Sequence, residues 1–255
     1  MSFVICMVPV APLRKEDAHR SEMVSQILFG ELAEVLEERK LFTRIRCLYD
    51  GYEGWCQTSQ LIAIGPALVD SNSTRICSDW ENLVELNGQP MHLSMGTALG
   101  LFHDNTARIN EYTLAYLGNA WDVSQSVFED ASIRKMAMQY LNTPYLWGGR
   151  SVFGIDCSGF VQQVFRFFGK KLPRDAYQQA GEGEVVGFLQ EVKCGDLAFF
   201  DNEEGKITHV GLLFSPDMII HSSGKVRIDK IDNMGIINSD TGERTHTLRI
   251  IKRFA

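Results

Sequence analysis

The sequence predicts an α+β protein with an all-β N-terminal part, and three observations carry that prediction. Short β-rich runs separated by turn residues fill the first half of the chain. Two segments with apolar residues at helical spacing follow. After Gly195 strands return and dominate to the C-terminus. Helices first and an antiparallel sheet afterwards is the α+β order.

Residues 1–62 divide into several short strands. Val4–Val10 is β-rich, Leu32–Glu38 and Phe42–Leu48 are joined around Arg39-Lys40, and Asp50-Gly51-Tyr52-Glu53-Gly54-Trp55 turns into a final strand. So many strands in so short a length predict a small barrel. Residues 63–120 carry two further strand-like runs, Met91–Thr97 and Thr113–Gly118, which predicts a second small β domain. From residue 121 the pattern changes. Ile133, Met136, Ala137, Tyr140 and Leu141 form one apolar helical face that Asp130 is placed to cap, and Pro144 prevents its continuation. Phe160, Val161, Val164, Phe165 and Phe168 mark a second helix, which Gly169 stops. Strands are expected at Asp196–Phe200, Ile207–Phe214, Met218–His221, Val226–Ile228 and Thr247–Ile251. The domain organisation expected is therefore 1–62, 63–120 and 121–255.

Composition narrows the function classes. With 255 residues, 45% hydrophobic and 22% charged, the chain has the balance of an ordinary globular protein. A net charge of -7 provides no basic surface for nucleic acid. It also disfavours general electrostatic attachment to a polyanionic polymer or anionic membrane, and suits a small substrate. The six cysteines form no CxxC pair, so neither a zinc knuckle nor a disulfide scaffold is indicated. Free buried thiols are expected apart from Cys157, and with them a reducing compartment. The apolar start Met1–Val10 is short, lacks a basic flank and is broken by Pro9, so it has the form of neither a signal peptide nor a span. A cytoplasmic location is expected.

The chemistry concentrates at Asp156-Cys157-Ser158-Gly159-Phe160 and Thr208-His209-Val210-Gly211. A cysteine is a strong nucleophile as thiolate, and an imidazole or a helix N-terminus favours that form. Gly148, Gly149 and Gly154 mark loop before Cys157, so its thiol lies at the first turn of the second helix. The expected nucleophile is Cys157, with His209 on a strand as its partner. His19, His92, His103 and His246 have no comparable context.

These motifs, in order with Tyr145-Leu146-Trp147-Gly148-Gly149, Leu172-Pro173-Arg174-Asp175, Gly195–Phe200 and Ile220-His221-Ser222-Ser223, resemble the NlpC-type peptidases, papain-like enzymes that cut bacterial cell-wall peptides. The N-terminal part resembles bacterial SH3-like domains through Ala11–Arg14, Ser21–Gln26, Phe29-Gly30-Glu31 and the aromatic-glycine turn at 50–55. By position and length, residues 63–120 match a second SH3-like domain. The resemblance implies a papain-like layout, with the thiol on a helix end and two histidines on neighbouring strands. His209 would be general base and acid, His221 would orient its ring, and Tyr145 would line the oxyanion site. Substrate contacts would come from Asp156, Ser158 and Trp147, and a free peptide amine would be recognised by Glu22, Tyr52 and Asp175. Glu31 and Tyr49 are alternatives for the first two.

The activity implied is a γ-D-glutamyl-L-diamino acid endopeptidase acting on released murein peptides, as a monomer without metal or organic cofactor. An amidase or acyltransferase using the same thioester, or a non-catalytic wall-binding module, are the competing readings. A zinc site made by Cys157, His209 and His221 is a further one.

Overall fold

The computed structural model describes residues 2–65 and 73–254, and the chain forms two compact units. One comprises Met1–Ser126 with Trp147–Val152, the other Val127–Leu146 with Phe153–Ala255. Residues 66–72, inside the expected 63–120 segment, lie outside the described residues.

The first unit begins with strands β1 (Phe3–Cys6), β2 (Val10–Arg14), β3 (Met23–Leu28), β4 (Leu32–Glu38), β5 (Phe42–Cys47), β6 (Glu53–Gln57) and β7 (Leu61–Ile64). They make a seven-stranded sheet in the order β3-β2-β6-β5-β4-β1-β7. The expected run Val4–Val10 is in fact two strands. It breaks after Cys6, where the chain changes partners, β1 pairing with β4 and β7 and β2 with β3 and β6. A second group follows: β8 (Arg75–Cys77), β9 (Asn82–Leu86), β10 (Gln89–Leu93), β11 (Thr106–Ile109), β12 (Tyr112–Tyr116) and β13 (Ala120–Asp122). β9 and β10 meet at Asn87-Gly88, both with positive φ (50° and 76°), the geometry that two-residue hairpins favour. Val84, Leu93, Phe102, Leu114 and Tyr116 from this group share one core with Ile5, Met7 and Phe29 of the first.

Trp147–Val152 joins this unit through Arg150. Its guanidinium is fully buried and pairs with Glu31, Nη1 to Oε2 at 3.1 Å and Nη2 to Oε1 at 3.2 Å. The Gln26 carbonyl accepts from Nη1 at 3.0 Å, and the Gln26 side chain from the Arg150 backbone N–H at 2.8 Å. Nε is the one nitrogen of this guanidinium that has no hydrogen-bond partner among the described residues; the other bonds matter because an unmatched buried cation costs several kcal/mol.

The second unit opens with helix α1 (Asp130–Gln139), whose buried face is Ile133, Met136 and Ala137, as the spacing predicts. Its N-cap is Glu129 rather than Asp130, which lies in the first turn. The short strands β14 (Arg150–Ser151, in the first unit) and β15 (Gly154–Ile155) precede α2 (Cys157–Arg166) and α3 (Ala176–Gln179). Seven strands then form one antiparallel sheet: β16 (Glu184–Val186), β17 (Leu197–Asp201), β18 (Ile207–Ser215), β19 (Met218–Ser223), β20 (Lys225–Asp232), β21 (Gly235–Ile237) and β22 (Arg244–Arg253), in the order β16-β22-β17-β18-β19-β20-β21. Every residue of α2 is buried and the helix packs on β18 and β19, which brings the first turn of α2 to the strands that carry His209 and His221. Ala198, Phe200, Leu213, Ile219 and Ile231 fill a core in this unit. β20 runs four residues beyond the expected Ile228, because Lys230, Ile231 and Asp232 pair with β21. The molecule is mostly sheet with few helices.

Candidate active site

Cys157 is the first residue of α2, and its placement starts with Asp156. Asp156 is the N-cap, its Oδ1 accepting from Gly159 N–H at 2.7 Å. Arg174, 2% exposed, clamps the same carboxylate, Nη1 to Oδ1 at 3.0 Å and Nη2 to Oδ2 at 2.6 Å. Nη1 also donates to Ser158 Oγ at 2.9 Å. Asp156 and Ser158, expected to face substrate, are thus buried and bonded to Arg174, a residue that the sequence reading quoted only as part of a motif.

The sulfur of Cys157 is buried and receives backbone N–H groups from Val210, which follows His209, and from Ser158. Burial pushes the thiol up to about 12, and the Asp156 charge adds to the shift. The rise from 9.0 corresponds to about 4 kcal/mol against the thiolate. A helix N-terminus contributes about 0.3–1 kcal/mol in its favour, up to about 2 in buried geometries. Desolvation thus outweighs the helix end and pushes the group toward the neutral thiol.

His209 lies on β18 and His221 on β19, and Nε2 of the first is 2.8 Å from Nδ1 of the second. Gly211 makes this approach possible. It stands opposite His221 in the ladder, and a Cβ there would lie 2.6 Å from Ile219 Cδ1 and 2.9 Å from His221 Cβ. The Thr-His-Val-Gly motif thus ends in glycine for a packing reason. Burial, and then the nearby His221 and His246 rings, hold His209 well below the usual histidine value, so it rests uncharged.

Asp229 and Arg174 were given no role by the sequence reading, and a third feature corrects it, because His246, set aside there as having no comparable context, stacks on His209. Asp229 on β20 is buried, with Oδ2 3.0 Å from His221 Nε2. Burial alone would raise this carboxyl, but hydrogen bonds from His221, Arg227 and the Ser239 N–H outweigh it and hold it well below the usual range. His246 on β22 stacks on His209, ring centroids 4.1 Å apart at 27°, and is lowered to about 4, chiefly by burial. Neither acidic residue nor histidine announces itself locally, since both reach the site through strand register.

Beside His209 is a cleft of about 320 Å³ lined by Tyr145, Thr208, Ser222, Ser223, Gly224 and His246. Tyr145 is half-buried, and burial followed by the Cys157 and Asp156 charges pushes its phenol up to about 12, so it remains a hydrogen-bond donor at neutral pH. Both ring nitrogens of His221 are engaged, Nδ1 by His209 and Nε2 by Asp229, which leaves none to coordinate zinc.

The remaining candidates are distributed more widely. Trp147 Nε1 donates to Glu22 Oε1 at 2.9 Å, which brings these two together in the first unit. Tyr52 is half-buried there, its N–H donating to Asp50 at 3.1 Å. Glu31, the alternative to Glu22, is buried against Arg150. Asp175 precedes α3, where its backbone N–H donates to Gln178 Oε1 at 3.2 Å.

Comparison with known proteins shows which family the chain resembles. A model of the NlpC/P60 family matches residues 142–245, and one described as the bacterial dipeptidyl-peptidase Sh3 domain matches residues 13–61. Over 213 residues the chain is 34% identical to a γ-D-glutamyl-L-lysine dipeptidyl-peptidase of Bacillus subtilis strain 168, covering 78% of this chain and 71% of that protein. It is 25% identical over 254 residues to dipeptidyl-peptidase 6 of Lysinibacillus sphaericus, covering 89% of this chain and 91% of that protein. The crystal structure of an NlpC/P60 family protein from Bacillus cereus ATCC 10987 superposes with a TM-score of 0.83 at 18% identity, covering 99% of each chain.

Proposed function

The chain belongs to the NlpC/P60 family of cysteine peptidases, and from that premise we propose that it hydrolyses the bond between γ-D-glutamate and the diamino acid in murein peptides with a free N-terminal L-alanine. The observation that carries this reading is the joint placement of a thiol at the head of α2, the N–H of Val210 directed at its sulfur, and the bonded pair His209–His221. Likeness over most of both chains to a relative named for γ-D-glutamyl-L-lysine supports the substrate class.

In this reading the sulfur of Cys157 attacks the γ-glutamyl carbonyl as its proton passes to His209. Both groups start uncharged, so transfer accompanies attack rather than preceding it. General-base assistance of this kind typically contributes about 10²–10⁴-fold. The Cys157 backbone N–H and the Tyr145 hydroxyl are the proposed donors to the oxyanion, each such donor being worth about 10²–10³-fold. His209 then protonates the departing amine, leaving a thioester, and afterwards activates the water that releases L-Ala-γ-D-Glu. Glu22 with Tyr52, and separately Asp175, are the proposed contacts for the substrate ammonium, whose charge suits a carboxylate acceptor. A role in recycling released wall peptides within the cytoplasm completes the proposal, supported by six free cysteines.

Mass spectrometry of products from L-Ala-γ-D-Glu-L-Lys and its diaminopimelate counterpart tests it. Wild type should release the dipeptide, and Cys157→Ala should release none. Cleavage next to alanine, or transfer to an added amine, would support an amidase or acyltransferase instead. Undiminished turnover of an N-acetylated substrate would remove the ammonium contacts from the proposal.

A further inference from the structure

The hydrogen bonds around His209 form a chain whose far end decides which ring nitrogen is free. Asp229 has 1% side-chain exposure and both oxygens occupied. Oδ2 accepts from Arg227 Nε at 2.8 Å, and Oδ1 from Arg227 Nη2 at 2.9 Å and from the Ser239 N–H at 2.8 Å. Such a carboxylate is acceptor only. Its Oδ2 lies 3.0 Å from His221 Nε2, so that nitrogen must carry a proton. When His221 carries this one N–H and no second proton, its Nδ1 is a lone pair. That lone pair faces His209 Nε2 at 2.8 Å, and Nε2 must therefore be the donor. The second nitrogen of His209, Nδ1, is left unprotonated, and under the proposed reading it is the one that takes the thiol proton.

Resting on the reading of Cys157 and His209 as nucleophile and base, we propose that Asp229 is a positioning residue that sets the tautomers of His221 and His209 together. Reversal of the chain would put the proton of His209 on Nδ1, and the ring would then have nothing to take a thiol proton with. Asp229 touches neither substrate nor sulfur; it acts through two imidazoles. Arg227 and the Ser239 N–H in turn hold the carboxylate in line, and Arg227 is itself tied to Asn238 at 3.0 Å and Asp240 at 2.9 Å.

Ring ¹⁵N–¹H correlation spectra of the histidine-labelled full chain test this directly. Wild type near neutral pH should show the His209 proton on Nε2. In Asp229→Asn the amide can donate to His221 Nε2 and permit the reversed chain. The expected result is a loss in kcat on the order of 10²–10⁴-fold with KM nearly unchanged, and the His209 proton on Nδ1. Asp229→Glu, which keeps an acceptor, should recover part of kcat.

A wild-type proton on His209 Nδ1 would overturn the proposal, and this readout does not depend on any variant folding. So would Asp229→Asn turning over within about threefold of wild type, or losing kcat while the His209 proton stays on Nε2. Failure of the underlying reading would appear elsewhere, as full activity in Cys157→Ala.

Discussion

At the scale of single residues, charge state governs the site. Cys157 and His209 are each pushed toward the neutral form by burial, the thiol up to about 12 and the imidazole well below 6.5. A general base must be unprotonated to act, and a depressed value keeps it so to lower pH. The acid limb of kcat/KM should therefore lie below pH 6.5, with activity lost as pH falls through the depressed His209 value. No loss is expected between about pH 7 and about pH 10, since the thiol and the Tyr145 phenol both titrate near 12. A pH–rate profile of the free enzyme checks both statements; an acid limb at or above 6.5 would show that His209 is not depressed, and an alkaline limb between about pH 7 and about pH 10 would show that a charged thiolate–imidazolium pair is the resting state.

At the scale of elements, the site depends on how closely β18 and β19 approach. Gly211 lies opposite His221, and the space that a methyl group needs is already filled by Ile219 and the His221 Cβ. Gly211→Ala should cost about 1–3 kcal/mol, the usual range for overpacking. The same displacement would shift His221 away from His209, so kcat should fall at least about tenfold, within the range of general acid–base contributions. Urea unfolding and steady-state kinetics on one preparation test the two effects together. Unchanged kcat with reduced stability would mean that the His209–His221 bond survives the shift. The head of α2 is built on the same logic of local crowding, with one carboxylate, Asp156, serving as helix cap and as partner of Arg174.

At the scale of the whole molecule, sequence order and spatial grouping part company. Trp147–Val152 lies between α1 and α2 in the chain yet belongs to the N-terminal unit, tied there by Arg150. Breaking a buried pair by removing one partner costs about 3–5 kcal/mol, since the other charge is left without compensation. Arg150→Met should destabilise the first unit by that amount in urea unfolding, and Arg150→Met with Glu31→Leu should regain most of it. A loss in the single variant below about 1 kcal/mol, the value of an exposed pair, would show that water reaches Glu31.

Local pattern was enough to place Cys157 at the head of a helix, because helical spacing after it and glycines before it define a helix start without reference to the rest of the fold. It was also enough for the β-rich first half, for α1 and α2, and for the five principal strands after Gly195, since period and turn residues are properties of neighbours in sequence. The breaks in Val4–Val10 and the length of β20 were not legible, because hydrogen-bond partners from distant strands set them. Asp229, Arg174 and His246 escaped for the same reason: strand register and packing bring them to His209 and Asp156, and no spacing in the sequence encodes that register. The ionisation of Cys157 followed the folded surroundings as well, since desolvation depends on every atom that excludes water from the sulfur, and those atoms come from across the unit.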